Sequence, residues 1–279
     1  MNLNIKNLKN NGFLIIKDLI NKKEILEIEK SFTKKKNSIK NNQNYFETDD
    51  EVMWQYLINK KLLNALKKIL GEKIYYMHDL QLEENRIQNN LRSWHRDNPC
   101  RSTGKGPDWD NKISYNVLTT ITYMCSSEET NSNLNFLNKS HKSKYKFSIS
   151  NILRLFHRKS LKYKKLDKFR FIIEKLIGKE IIYNKGDCIV FFANLYHMGQ
   201  GVSLNENNRK LIIARFGGPG QHSENFINYL FKHRSEIANR YNGSKKKNDF
   251  FNFLKKNNIF YPLPNKKKEI EGVYSKINV

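Results

Sequence analysis

Two histidines and an aspartate are the residues of this chain best placed to do chemistry. The stretch "SWHRDNPCR", residues 93–101, sets His95 and Asp97 one residue apart. On an extended segment such a pair projects to the same side, so an imidazole nitrogen and a carboxylate oxygen can grip one cation. A third donor, His197, closes the strand-like run "GDCIVFFANLYH". Two imidazoles and one carboxylate make a facial set that leaves open positions on the metal and suits non-haem Fe(II) oxygenases. Zinc accepts the same donors, usually in a tetrahedral hydrolytic arrangement. The donors alone do not choose between the two ions.

The segment after His197 adds a second feature. "MGQGVSLNENN" is rich in Gly and Asn and reads as a turn or short loop, and the chain returns as "RKLIIARF". In a hairpin of that length the guanidinium of Arg209 can reach back to the metal pocket. A buried arginine fork pairs with a carboxylate at two points. A dicarboxylate co-substrate, held by metal at one end and by arginine at the other, fits these residues. Arg215 lies on the same strand face and is the rival for that carboxylate, whereas Lys210 points the other way. Gln81, in "KIYYMHDLQLE", can line the co-substrate pocket or simply pack.

These side chains need a frame. Strand-like runs begin at "GFLIIKDLI" and "KIYYMHDLQLE" and continue through "KISYNVLTTITYM", the two runs around Gly186-Asp187, and "RKLIIARF". Helices are expected from Asn21, with Glu24 completing a capping box and Ile25, Leu26 and Ile28 opening an apolar stripe, and from about 50 to 70, ending at Gly71. Another is expected from a Ser223 cap to near Gly243. The basic segment from about 143 to 180 reads as a partly helical insertion between core strands. Its two readings are a solvated cover and a lid for an anionic substrate. Strands in the centre with helices at both ends give an α+β protein around a β-sandwich or jelly roll, one domain over 1–279. Its core spans about 73–217 and its helical tail about 222–257.

Charge opens a different function class. Lys and Arg number 51 against 27 Asp and Glu, a formal net charge of +24. That balance allows a nucleic-acid partner. The lysines are dispersed, however, among recurrent Asn and Ile, as in "NNQN" and "KKNN". Compositional drift explains them better than a binding patch. The 17 Phe and 14 Tyr supply enough bulk for a core despite a hydrophobic share of 38%. Cys100, Cys125 and Cys188 are odd in number and lack CxxC spacing, so no disulfide framework is expected and the reducing cytoplasm is the expected setting. No apolar run is long enough for a secretion signal or a membrane span.

The ordered series "WHRD", "NSNLNFLNKSHK", "GDCIVFFANLYHMG" and "NRKLIIARF" resembles the phytanoyl-CoA dioxygenase-like members of the Fe(II)/2-oxoglutarate oxygenases. "NGFLIIKDLINKKEILEI" is similar to the opening of that family, and the resemblance spans roughly residues 11–217. It implies a double-stranded β-helix core, Fe(II) held by His95, Asp97 and His197, and Arg209 on the distal carboxylate of 2-oxoglutarate. It further implies consumption of O2 with release of succinate and CO2, and hydroxylation of a small molecule. Asp97 is retained, where halogenating relatives lack the carboxylate. Two departures stand out: Ser132 replaces a Gly, and Asn138-Lys139 replaces a Pro-Gly. His141 is expected to tie down a loop, Trp94 to pack, and His78, His157, His222 and His233 to be ordinary. The competing classes are a nucleic-acid-binding protein, a zinc hydrolase on a similar barrel, and a binding module without turnover. Substrate identity and oligomeric state are not legible.

Overall fold

A computed structural model describes residues 4–36, 44–46, 51–85, 93–97, 115–201, 209–233 and 245–263. The expected strands are present: β1 (Phe13–Ile16), β3 (Tyr75–Asn85), β4 (Val117–Tyr123), β7 (Cys188–Phe192) and β9 (Arg209–Gly217). With the short β2 (Asn44–Phe46) they form a six-stranded sheet in the order β1-β7-β4-β9-β3-β2. A second sheet, β6-β5-β8, combines β5 (Ser132–Phe136), β6 (Lys179–Ile181) and β8 (His197–Gly201). Neighbouring strands in both sheets run antiparallel.

Period-two patterning gives the large sheet two buried faces. Along β9, Leu211 and Ile213 meet Leu134, Phe136 and Ile181 of the small sheet in one apolar cluster. Phe13 stacks on Phe136 across the two sheets at 4.8 Å. The alternate residues Ile212, Ala214 and Phe216 face the other way, into a core completed by helices. These helices are α1 (Ile5–Asn11), α2 (Lys22–Lys36), α3 (Glu51–Leu57), α4 (Lys60–Leu70), α8 (Gln221–His233) and α9 (Lys245–Lys256). Lys210 also points to this side and meets Glu29 at 3.2 Å.

Local chemistry sets the element ends. The Asn21 side chain accepts from the amides of Lys23 and Glu24, and Glu24 accepts from the Asn21 amide, the capping box expected from the sequence. In α2, Ile25 and Ile28 are buried but Leu26 is exposed, because it falls off the apolar stripe. The single helix expected over 50–70 is two, α3 and α4. Asn59 interrupts it, with a non-helical backbone (φ −54°, ψ 120°) and a side chain that caps the amides of Lys61 and Leu62. Ser223 does not cap α8; it sits inside the helix and donates to the Gly218 carbonyl. The proposed end near Gly243 lies outside the described residues.

The Gly186-Asp187 turn anchors β7. Gly186 has φ of +92°, and a Cβ there would stand 2.4 Å from the Ile20 carbonyl oxygen, so glycine is required. The Asp187 carboxylate accepts from the amides of Asp18 and Asn184 and from Lys17 Nζ at 2.6 Å. The motif thus fixes the strand that leads to His197.

A single turn of helix, α5 (Ser127–Thr130), joins β4 to β5, and the insertion lies between β5 and β6. It consists of a 3-10 turn (Ser143–Phe147), α6 (Ile149–Ser160), a second 3-10 turn (Lys164–Leu166) and α7 (Asp167–Ile177). No helix among the described residues is long and apolar enough to cross a membrane.

Candidate metal centre

His95 and His197 face each other as an antiparallel bridge. Each amide donates to the other's carbonyl, at 3.0 and 2.9 Å. Directly opposed residues carry their side chains on one side of a sheet, and the two imidazole centroids are 4.2 Å apart. The Asp97 amide donates to the Ala193 carbonyl, which extends the pairing to the next residue of the same face. One ligand atom each from His95, Asp97 and His197 lies within 4.8 Å of the others. The structure therefore brings together the three donors picked out by sequence spacing.

Each donor is oriented by a second contact. His95 Nδ1 meets the Ser93 carbonyl at 3.0 Å, and His197 Nδ1 meets the Leu195 carbonyl at 3.1 Å. A carbonyl can only accept, so each ring donates from Nδ1, which leaves Nε2 as the atom available to a metal. His197 Nε2 is 3.5 Å from Asp97 Oδ1. The other oxygen, Oδ2, accepts from the Thr119 hydroxyl at 3.0 Å and from the Arg215 guanidinium at 3.2 Å. One carboxylate oxygen is fixed by protein donors while its twin faces the imidazoles. This is the donor set and outer shell that a divalent metal with open positions uses.

Arg215 is itself clamped. Its guanidinium also binds the buried carboxylate of Asp79 on β3. Thr119 and Arg215 are direct partners across β4 and β9, so both reach Asp97 from the inner face of the large sheet. Sequence reasoning missed Asp79 and Thr119. A charged residue amid the apolar run of β3, and a threonine in a strand buried on both faces, were the available signals.

Arg209 is placed differently. It begins β9 on the face shared with Leu211, Ile213 and Arg215, and it is only 4% exposed. Its Nε has no hydrogen-bond partner, and no carboxylate among the described residues pairs with it. Its positive charge favours the ionised forms of the Cys125 thiol and the Tyr183 phenol, although burial raises both above their ordinary pKa. The Tyr183 hydroxyl meets that of Ser132 at 2.8 Å, and Ser132 meets Thr130 at 2.8 Å. Ser132, standing where a glycine was expected, is thus accommodated by hydrogen bonding. Gln81 is buried and lies opposite Ile213, on the same face as both arginines.

The backs of the ligand segments pack outward. Trp94, Tyr196 and Met198, which alternate with the ligands, join Leu137 and Tyr145 in a small apolar cluster. Two guanidinium groups lie over the Tyr196 ring, Arg96 at 3.9 Å and Arg154 of α6 at 4.2 Å from its centre. Burial lowers the Arg96 pKa to about 10. The "KSHK" loop ties this layer together. The Ser140 hydroxyl accepts from the Tyr196 amide, the Ser140 carbonyl accepts from Arg96, and the His141 ring stacks on Phe192. Lys139 takes the left-handed backbone, φ +64°, that a glycine would supply. The packed side of the insertion therefore rests behind the ligand-bearing strand.

The remaining residues divide. His78 Nε2 meets the Pro262 carbonyl at 2.7 Å, and the His222 ring lies 4.8 Å from that of Tyr115, both structural contacts. His157 is not ordinary: it is buried between α6 and α7, 2.6 Å from Glu174. Cys125 and Cys188 are free thiols, and Cys100 lies outside the described residues.

No protein-family model and no curated protein matches the sequence. Solved structures match in fold. HygX from Streptomyces hygroscopicus, solved with nickel and 2-oxoglutarate bound, superposes with a TM-score of 0.58 at 14% identity, over 77% of this chain and 85% of its own. SnoN, a non-haem α-ketoglutarate-dependent epimerase from nogalamycin biosynthesis, gives a TM-score of 0.52 at 11% identity, over 76% of this chain and 79% of its own. At such identities the shared property is the fold, a mixed arrangement of helices and antiparallel sheets on which these 2-oxoglutarate-binding enzymes are built.

Proposed function

We propose that this chain is an Fe(II)- and 2-oxoglutarate-dependent dioxygenase that hydroxylates a small molecule in the cytoplasm. In this reading the two sheets are the halves of a double-stranded β-helix, and the protein stands near the phytanoyl-CoA dioxygenase-like group. The observation that carries the reading is the convergence of His95, Asp97 and His197 on one point inside a fold shared with HygX and SnoN. A small organic substrate is supported by the same relatives, since HygX has been solved with hygromycin B and SnoN with nogalamycin RO.

Bound at this site, Fe(II) and 2-oxoglutarate supply the oxidising chemistry, with O2 consumed and succinate and CO2 released. The chain's own task is positioning. His95 and His197 offer Nε2, and Asp97 offers Oδ1, while Thr119 and Arg215 hold Oδ2. Arg209 receives the distal carboxylate of the co-substrate, and Gln81 lies on the same wall. Between the two arginines the choice is electrostatic. Arg215 is already neutralised by Asp79 and Asp97, whereas Arg209 is a buried cation that no carboxylate among the described residues pairs with. A zinc hydrolase would use the same three donors but would give that cation no anion to hold.

The test is an anaerobic titration of apoprotein with Fe(II) and then 2-oxoglutarate, followed through the visible metal-to-ligand charge-transfer band. Arg209→Gln should leave Fe(II) affinity within a factor of about two and weaken 2-oxoglutarate at least tenfold, the loss of a bidentate charged pair. Unchanged 2-oxoglutarate affinity would remove Arg209 from the role. Absence of any band, with oxygen-independent turnover of an ester or amide by the zinc form, would replace the oxygenase with a hydrolase.

A further inference from the structure

The helical insertion has its polarity reversed. Polar side chains share the contact between α6, α7 and the strand behind them with a few apolar ones, Tyr145, Ile173 and Ile177. His157 meets Glu174, Arg154 lies on Tyr196, and Arg170, only 1% exposed, donates to the carbonyls of Ser160 and Tyr163. Most of the apolar side chains point outward. Phe147 is 80% exposed, Ile149 76% and Leu176 70%, and Ile152, Phe156 and Ile172 are exposed with them. Of the fifteen large hydrophobic residues exposed among the described residues, twelve fall between 143 and 182, so the exposure belongs to this one element. A solvated cover would show the opposite pattern.

Charge identifies what covers that face. From 143 to 177 the chain carries eleven Lys and Arg against two acidic residues, Asp167 and Glu174. The cations border the apolar side chains directly. Lys146 Nζ lies 4.7 Å from the centre of the Phe147 ring, and Lys175 Nζ lies 4.5 Å from that of Phe171. Lysines beside exposed Phe, Ile and Leu can extend to a negative surface while the apolar groups enter hydrocarbon. Neither helix is long enough to span a bilayer, so the mode is interfacial. A second copy would bring an equally basic rim against this one, on chains of formal charge +24 each. A nucleic acid would satisfy the lysines and leave the aliphatic side chains in water.

We propose that the outer face of α6 and α7 docks the protein on an anionic phospholipid bilayer, with its apolar side chains at the boundary between headgroups and acyl chains. The ligand-bearing strand lies on the opposite side of the insertion, so docking leaves the metal centre turned away from the lipid.

Co-flotation of the full-length protein with protein-free vesicles tests this. Vesicles of phosphatidylcholine with phosphatidylserine should carry the protein up the gradient, and pure phosphatidylcholine vesicles should carry far less. Ile149→Ser with Phe156→Ser, and separately Phe171→Ser with Leu176→Ser, should each lower the bound fraction about tenfold without altering far-UV circular dichroism. Lys162→Glu, Lys165→Glu and Lys168→Glu together should do the same. The matched control, Lys22→Glu, Lys23→Glu and Lys30→Glu on α2, should bind nearly as the parent does. Equal binding by all variants would reduce the effect to general charge attraction and overturn the proposal. So would failure to float with the anionic vesicles, whether the protein then dimerises through Ile149 and Leu176 or is retained on bare duplex DNA.

Discussion

Replacing Thr119 by valine isolates the support behind the metal ligand. The hydroxyl is buried and donates to Asp97 Oδ2 at 3.0 Å. Valine keeps the β-branched shape that suits β4 and removes only the donor. Asp97 Oδ2 keeps its second donor, Arg215, at 3.2 Å, so the carboxylate is not left unpaired. Outer-shell partners of metal ligands are typically worth tenfold to a hundredfold in affinity, and the surviving guanidinium puts Thr119 at the low end. The expected change is about tenfold in the Fe(II) dissociation constant, near 1.4 kcal/mol. Anaerobic calorimetry with Fe(II), or with Co(II) as an oxygen-stable substitute, measures it. Thr119→Ser should restore most of the affinity, since it returns the hydroxyl. A valine variant that binds metal as the parent does would show that Oδ2 needs no hydroxyl, and would refute the division of labour between the two carboxylate oxygens.

Buried charge sets two further outcomes. Arg215→Met removes the cation shared by Asp79 and Asp97 and should cost the apoprotein about 3–5 kcal/mol in urea unfolding; adding Asp79→Asn should recover a substantial part. His141 is held neutral, its pKa lowered from 6.5 to about 4 chiefly by burial. The unfolded chain therefore takes up a proton as pH falls through 6.5 while the folded chain does not. Stability should be unaffected by this group above pH 6.5 and should fall from there down to about pH 4. His141→Gln should show a shallower loss of urea midpoint between about pH 7 and pH 5, and an identical slope would exclude His141 as a source.

Much of the site was legible because its signals are local. His95 and Asp97 share a face through strand alternation, and His197 ends a run whose Gly186-Asp187 turn needs glycine and a multiply hydrogen-bonded carboxylate. The helix break at Asn59 escaped because the apolar pattern continues through it, while the capping side chain acts on only two amides. Asp79 and Thr119 escaped for a different reason. Their importance comes from register across β3, β9 and β4, which joins residues far apart in the chain. The choice between Arg209 and Arg215 was likewise a matter of partners: both lie on one strand face, and only the packed structure shows which guanidinium already has its carboxylates. In the insertion the sequence signalled only partial helicity, and neither the two helices nor their orientation was legible, since an apolar stripe is ordinarily assigned inward and here most of it faces solvent.

Three side chains sharing one ion carry the proposed chemistry, and crystals grown anaerobically with Fe(II) address that directly. Diffraction at the iron absorption edge should give one strong anomalous peak bounded by His95 Nε2, Asp97 Oδ1 and His197 Nε2. A peak located elsewhere, or none at full iron loading, would contradict it.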